Sequence, residues 1–97
     1  MNPIDLLKAL ISIPSLNPED TDQQHWVGEA RMVEWTEAYL TPLGFKCEVV
    51  EGTPGRPNLV ARAGAHDPTR RVLIEVHSDT VAIDNMTVEP FIGLEKD

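Results

Sequence analysis

Residues 71–76, Arg71-Val72-Leu73-Ile74-Glu75-Val76, constrain the fold more than any other stretch. Val72-Leu73-Ile74 is an unbroken aliphatic run, the composition of a central strand buried on both faces. Such a strand needs a neighbour on its edges and a covering layer above and below. Whatever else the chain forms has to be judged by whether it can supply that cover.

Two helices precede the run. Asn2 is a good N-cap, Pro3 stands where a missing N–H costs nothing, and Asp5 lies in the first turn near the positive end of the helix dipole. Leu6, Leu7, Leu10 and Ile11 recur at helical spacing, and Pro14 stops the helix, because the residue before a proline leaves the helical region. Ser15 to Gln23, with Pro18 and its Asn and Asp residues, reads as a loop. A second helix is expected from Gln24 to Leu40 or Leu43, with Trp26, Met32, Val33, Trp35, Tyr39, Leu40 and Leu43 on one half of the wheel. Pro42 loosens its last turn, and Gly44 suits the left-handed position after it.

Strands follow. Phe45, Cys47 and Val49 alternate with Lys46 and Glu48, which predicts a half-buried strand over 45–51. Gly52-Thr53-Pro54-Gly55 is a turn, 58–63 a second short strand, and 64–69 a loop closed by Asp67-Pro68. Arg71 to Val76 is the third strand; after Asp79 the pattern weakens to loop, with room for one short strand. The fold class expected is α/β: two amino-terminal helices, then strands of a mixed sheet. Two helices cover only part of a doubly buried strand, so residues 1–97 are expected to be the front of a larger, incomplete domain.

Bulk properties exclude several classes. A net charge of −8, with only Arg70 and Arg71 adjacent, argues against a nucleic-acid partner. With 41% apolar and 25% charged residues the chain is neither disordered nor fibrous. The lone cysteine, Cys47, forbids an internal disulfide and fits a reducing compartment. No apolar run approaches the ~20 residues needed to cross a bilayer. The amino terminus shows no basic-then-apolar leader, so the cytoplasm is the expected location.

The chemistry-bearing stretch is Val76-His77-Ser78-Asp79-Thr80-Val81, at the end of the third strand. Side chains two apart on a strand share a face, so His77 and Asp79 point the same way, with Glu75 and Leu73. Neutral imidazole is the commonest metal ligand, and its second nitrogen normally donates to a carboxylate that fixes tautomer and orientation. The carboxyl end of a buried strand is also where α/β sheets bind ligands. Spacing alone leaves a second reading open, a structural or surface histidine. The other polar candidates read as ordinary structure. His66 with Asp67 is turn chemistry, His25 is a surface residue at a helix start, and Cys47 is a buried hydrophobe with no neighbour to lower its pKa. Trp26 and Trp35 read as packing residues. Glu29 is a first-turn charge or a structural link near the site.

Several segments, in order, carry a resemblance. Leu6 to Pro18, with its Ile-Pro-Ser-x-Asn-Pro loop, is similar to the opening of the co-catalytic zinc amidohydrolases of the acetylornithine deacetylase, succinyl-diaminopimelate desuccinylase and aminoacylase type. Gly28-Glu29, Leu43-Gly44-Phe45 and Asn58-Leu59-Val60-Ala61-Arg62 match that family's next landmarks. His77-Ser78-Asp79-Thr80-Val81 resembles its first metal motif and Glu89-Pro90-Phe91 the segment after it.

The resemblance implies that His77 binds one of two zinc ions and that Asp79 clamps its imidazole; cobalt or manganese would suit similar donors. It implies a zinc-peptidase-type catalytic domain that hydrolyses the amide of an N-acyl amino acid or small peptide. The family carries a second, lid and dimerisation domain not represented in these residues, which leaves the oligomeric state open, a homodimer of the complete protein being one option; no membrane partner is expected. The bridging aspartate of the family's Gly-Arg-Gly-x-x-Asp motif, the general base and the remaining ligands are not in these 97 residues. Val76 and Ala82 stand where the family usually has Gly and often Pro, and Glu75 where it commonly has a small or polar residue, which leaves the substrate subgroup open. Three functions are therefore weighed: the parent hydrolase, a catalytically silent fragment of it, and an unrelated small protein-binding module.

Overall fold

The computed structural model describes residues 1–19, 21–67 and 69–96; Asp20, Pro68 and Asp97, all read above as loop or end positions, lie outside the described residues. Helix α1 spans Pro3–Ile11. Asn2 caps it, its side-chain oxygen accepting the Asp5 N–H at 2.9 Å while its amide donates to the Asp5 carboxylate, also at 2.9 Å. The helix ends three residues before Pro14, where Ser12 Oγ donates back to the Ala9 carbonyl. Its apolar face is not covered: Ile4, Leu7 and Ile11 remain exposed. The carboxyl-terminal segment is tied to it by a Lys8–Glu95 ion pair at 2.7 Å, beside which Gly93, at φ +60°, packs tightly on Lys8.

The second helix is shorter than its sequence pattern. Gln24–Trp26 forms a single 3₁₀ turn, and helix α2 runs only from Ala30 to Leu40. Val27 is extended and Gly28 has φ +98°, a left-handed conformation that L side chains resist. The break serves a purpose, because Val27 is extended and bridged to Leu16, whose backbone bonds the Trp26 carbonyl and the Gly28 N–H. A Thr41–Leu43 3₁₀ turn around Pro42 and a left-handed Gly44 close the helix as the residues predict.

Strand β1 (Lys46–Thr53) and strand β2 (Arg56–Arg62) form an antiparallel hairpin, with Lys46 opposite Arg62 and Val49 opposite Leu59. Pro54-Gly55, with Gly55 at φ +78°, makes a tighter turn than the four residues expected, so β2 starts two residues earlier than its pattern suggests. A register shift between Val50 and Thr53 marks an irregularity in β1. Helix α2 packs mainly on β2.

The expected third strand is corrected. Residues 71–76 take no regular secondary structure and among the described residues pair with no strand; the described sheet is the antiparallel hairpin alone, and with the two helices it keeps the expected α/β class. Val72, Leu73, Ile74 and Val76 are between 82% and 91% exposed. Local composition favours a buried strand here, and neither the hairpin nor the helices reach it. The consequence shows in the whole molecule. Its radius of gyration is 15.4 Å, against about 12–13 Å for a compact domain of this length. Its accessible surface is 7830 Å², against roughly 5,500 Å² for a folded monomer of this mass. Among the described residues no helix is long and apolar enough to cross a membrane.

Beside Val33 of α2, the buried core centres on a stretch whose sequence reads as loop. Pro14, Ser15 and Leu16 are buried, and Leu16 (1% exposed) is bridged on two sides. Its N–H donates to the Trp26 carbonyl at 3.0 Å and its carbonyl accepts the Gly28 N–H at 2.9 Å. On the other side the Thr80 N–H donates to Ser15 and the Asn17 N–H to Thr80, at 2.9 and 2.8 Å. Leu16→Ala is expected to cost about 2–5 kcal/mol, the range for emptying a buried leucine site. Urea denaturation followed by tryptophan fluorescence measures it, and a loss well under 1 kcal/mol would show that Leu16 is not the packing centre.

Candidate functional site

Three segments converge beside Leu16: the 14–17 loop, the start of β2, and residues 77–80. The 14–17 loop places Asn17, and the same parallel bridge that pairs Leu16 with Thr80 sets Asp79 beside it. Ser15 Oγ donates to the Ser78 carbonyl at 2.8 Å, fixing the backbone between His77 and Asp79. The tight Pro54-Gly55 turn delivers Arg56 at the start of β2, and Gly28 delivers Glu29 at the head of α2.

His77 Nδ1 faces two acceptors, the Asp79 backbone carbonyl at 2.9 Å and Asp79 Oδ1 at 3.1 Å. Neither oxygen can donate, so a neutral ring carries its proton on Nδ1 and its lone pair on Nε2. The ring is 87% exposed, which leaves Nε2 open to a ligand. The sequence expectation that His77 and Asp79 share a face is met, by a hydrogen bond within an irregular segment rather than by strand alternation.

Asp79 is held from its other side. Asn17 Nδ2 donates to Asp79 Oδ2 at 2.9 Å, and the orientation of that amide is set because Asn17 Oδ1 accepts the Glu19 N–H at 2.9 Å. The Asn17 hydrogen bond, with smaller help from His77 and against some desolvation, keeps the Asp79 carboxyl below the ordinary carboxylate range. Arg56 Nη2 lies 3.6 Å from the same oxygen. Arg56 is in turn gripped by Glu29: Nη2 bonds Oε1, and Nε lies 3.2 and 3.4 Å from the two carboxylate oxygens. This pairing raises the Arg56 pKa above its already high ordinary value. Glu29 is 6% exposed, so its charge depends on that partner.

The array is therefore Glu29, Arg56, Asp79, His77, with Asn17 on the flank. Asn17 and Arg56 escape the reading of single residues, although Asn17 sits in a segment that carries the family resemblance. Glu29 is not a solvated first-turn charge but the buried anchor of the array. The remaining candidates behave as ordinary structure. His66 is exposed, and Asp67 accepts from the Thr69 N–H and hydroxyl in a turn. His25 is exposed beside Trp26, Trp26 packs on Phe91 with centroids 5.3 Å apart, and Trp35 stacks on Tyr39 at 5.2 Å. Cys47 is free and half-buried. Among the described residues no three His, Cys, Asp or Glu side chains cluster as a metal site. Two surface hollows, one at the head of α1 with Glu95 and one between Ser12–Pro14 and α2, include neither His77 nor Asp79.

No family model matches the chain, and no solved structure matches it significantly. Curated relatives do. The chain is 33% identical over 96 residues to the acetylornithine deacetylase of Vibrio campbellii, a match covering 97% of the chain and 24% of that protein. It is 37% identical over 103 residues to the succinyl-diaminopimelate desuccinylase of Parvibaculum lavamentivorans, covering 99% of the chain and 23% of that protein. The desuccinylase of Herminiimonas arsenicoxydans is 35% identical over 95 residues. The chain spans about a quarter of the length of the relatives it matches.

Two predictions follow from the array's electrostatics. Because the Asp79 pKa is depressed in the folded state, its stabilisation is full above the unfolded value of about 3.9 and is lost as pH falls through the folded value. Asn17→Ala should therefore lower the Tm at pH 6, with the difference from wild type shrinking on acidification below that range. A pH-independent difference would mean that Asn17 acts only through packing. Arg56→Met should strand the Glu29 charge and destabilise more than the double variant Glu29→Gln/Arg56→Met, which removes both charges. Urea midpoints of the single and double variants check this ordering.

Proposed function

The chain is related over nearly its whole length to the acetylornithine deacetylases and succinyl-diaminopimelate desuccinylases, and on that premise we propose that it is the amino-terminal segment of a zinc-dependent amidohydrolase. The substrate class is an N-acyl amino acid or small peptide, cleaved at its amide bond. The observation that carries the site assignment is the two-acceptor hold on His77 Nδ1, which fixes the tautomer and leaves an exposed Nε2. Asp79 is the orienting group: its backbone carbonyl and carboxylate align the ring. Asn17 keeps Asp79 ionised and in place, Arg56 lies beside the same carboxylate oxygen, and Glu29 keeps Arg56 in place.

A zinc pair, when bound, polarises the scissile carbonyl and lowers the pKa of the attacking water; cobalt or manganese would meet the same donors. Catalytic zinc takes about three protein ligands, and the described residues bring one imidazole with its carboxylate. His77 fits as one member of such a set, and the other donors would come from the portion of the relatives' length not represented here. On this reading the chain alone is catalytically silent, and its exposed apolar segment supports that view. The lone free Cys47 suits a cytoplasmic protein, the −8 charge suits a small-molecule rather than a nucleic-acid partner, and the complete protein is read as a homodimer.

A chimaera tests the assignment. Grafted in place of the matching quarter of the Vibrio campbellii acetylornithine deacetylase, the chain is expected to support hydrolysis of acetylornithine. His77→Ala in that chimaera should abolish turnover and reduce bound zinc, and Asp79→Asn should cost about 10–100-fold in metal affinity or activity. The isolated 97-residue chain should retain no zinc through gel filtration. Full turnover in the His77→Ala chimaera, or tight stoichiometric zinc on the isolated chain, would sink the proposal.

A further inference from the structure

The Asp79 carboxylate stands between two donors of unequal strength. On one side is the His77 imidazole, with Nδ1 3.1 Å from Oδ1. On the other is the Arg56 guanidinium, a full cation whose Nη2 lies 3.6 Å from Oδ2. Hydrogen bonds between two charged groups are roughly twice as strong as neutral ones, and arginine offers them in pairs. An unrestrained carboxylate in this position would turn both oxygens to the arginine. Here it does not, and two contacts account for that.

Glu29 occupies the arginine. Its Oε1 takes Arg56 Nη2, and Nε lies 3.2 and 3.4 Å from its two oxygens, so the nitrogen that approaches Asp79 is already engaged. Asn17 occupies the carboxylate. Its Nδ2 donates at 2.9 Å to Oδ2, the same oxygen that Arg56 approaches, which leaves Oδ1 for the imidazole. The amide is not free to flip. Its own Oδ1 accepts the Glu19 N–H at 2.9 Å, so the donor end has to face Asp79. All of these contacts run between side chains and backbone within the chain, and none depends on an open surface.

We infer that Asn17 is a positioning residue: by holding Asp79 Oδ2 it keeps the carboxylate on the His77 imidazole and off the Arg56 guanidinium. The inference deepens the hydrolase reading, in which His77 Nε2 meets a metal, but the geometry it describes needs no metal.

Nitrogen NMR of the metal-free chain with labelled histidine, in alkaline buffer that keeps the ring neutral, reads the two tautomers; His77→Ala assigns the signal. Wild type should show a dominant Nδ1–H form. The decisive variant is Asn17→Asp, which matches the shape and still accepts from Glu19 but sets an oxygen against Oδ2. It should lower the ratio of Nδ1–H to Nε2–H roughly fivefold or more, the equivalent of one ordinary hydrogen bond. In the Glu29→Gln/Arg56→Met background no cation competes, and there Asn17→Ala should lower the ratio by about half as much or less. Hydrogen exchange at the Thr80 N–H, which bonds Ser15, reports separately on the backbone around Leu16. That protection should persist in Asn17→Asp.

An unchanged ratio in Asn17→Asp would overturn the inference, as would a wild-type ring with no dominant Nδ1–H form. So would an undiminished effect in the background lacking Arg56. Loss of Thr80 protection together with the tautomer would also overturn it, by making Asn17 a brace for the backbone rather than for the carboxylate. No metal enters the measurement, so a failed tautomer shift counts against this inference alone and an inactive chimaera against the hydrolase reading alone.

Discussion

The parallel bridges made by Leu16 hold the molecule together. Two segments far apart in sequence, Trp26–Gly28 and Ser78–Thr80, meet only because the backbone from Ser15 to Asn17 hydrogen-bonds to both. The hairpin and α2 form a local unit, whereas everything after Arg62 is connected to the rest chiefly through this clasp and the Lys8–Glu95 pair. Burying one leucine at the crossing gives the clasp its apolar contribution, and four backbone hydrogen bonds give it direction. Gly28 is needed for the geometry: a helix continuing through 27–29 would turn the Gly28 N–H away from Leu16.

The candidate site is built on the same clasp. Ser15, Leu16 and Asn17 are three consecutive residues with separate tasks: one pins the Ser78 carbonyl, one packs, and one donates to Asp79. Electrostatics then extends the array inward. In a chain with 16 acidic and 8 basic residues, a nearly buried glutamate requires a dedicated cation. Arg56 answers Glu29 through a forked grip and still lies near Asp79, so one arginine neutralises a buried carboxylate and sits beside a second, partly buried one. Lysine, with a single point charge, would not hold both.

How much of this was legible depends on whether the determining interactions are local. Helix α1 was readable because its cap, its first-turn proline and its stop signal act within a few residues. The hairpin was readable from alternation and from Pro54-Gly55. The helix pattern over 24–43 runs too long, because periodicity records the apolar residues but not the competing bridge of Val27 to Leu16. The 15–17 stretch was read as loop, since its extended conformation is fixed by hydrogen bonds to residues more than sixty positions away. His77 and Asp79 were found because they lie two apart. Asn17, Glu29 and Arg56 join them only through tertiary structure, and no spacing rule could have gathered the five.

The third strand is the instructive error, because its composition reports what the segment needs rather than what surrounds it here. Val72-Leu73-Ile74 is suited to burial on both faces, and in this structure both faces and both edges are open. His77 sits at the boundary. On its carboxyl side the backbone is pinned by Ser15 and by the Thr80 bridges; on its amino side it continues directly into the unpaired run. The imidazole is therefore oriented by Asp79 and anchored from one direction only. Whatever strand comes to lie against residues 71–76 would anchor it from the other, so covering the apolar run and completing the site are one structural event. That coupling accounts for the strongest hydrophobic signal in the sequence running directly into its strongest chemical one.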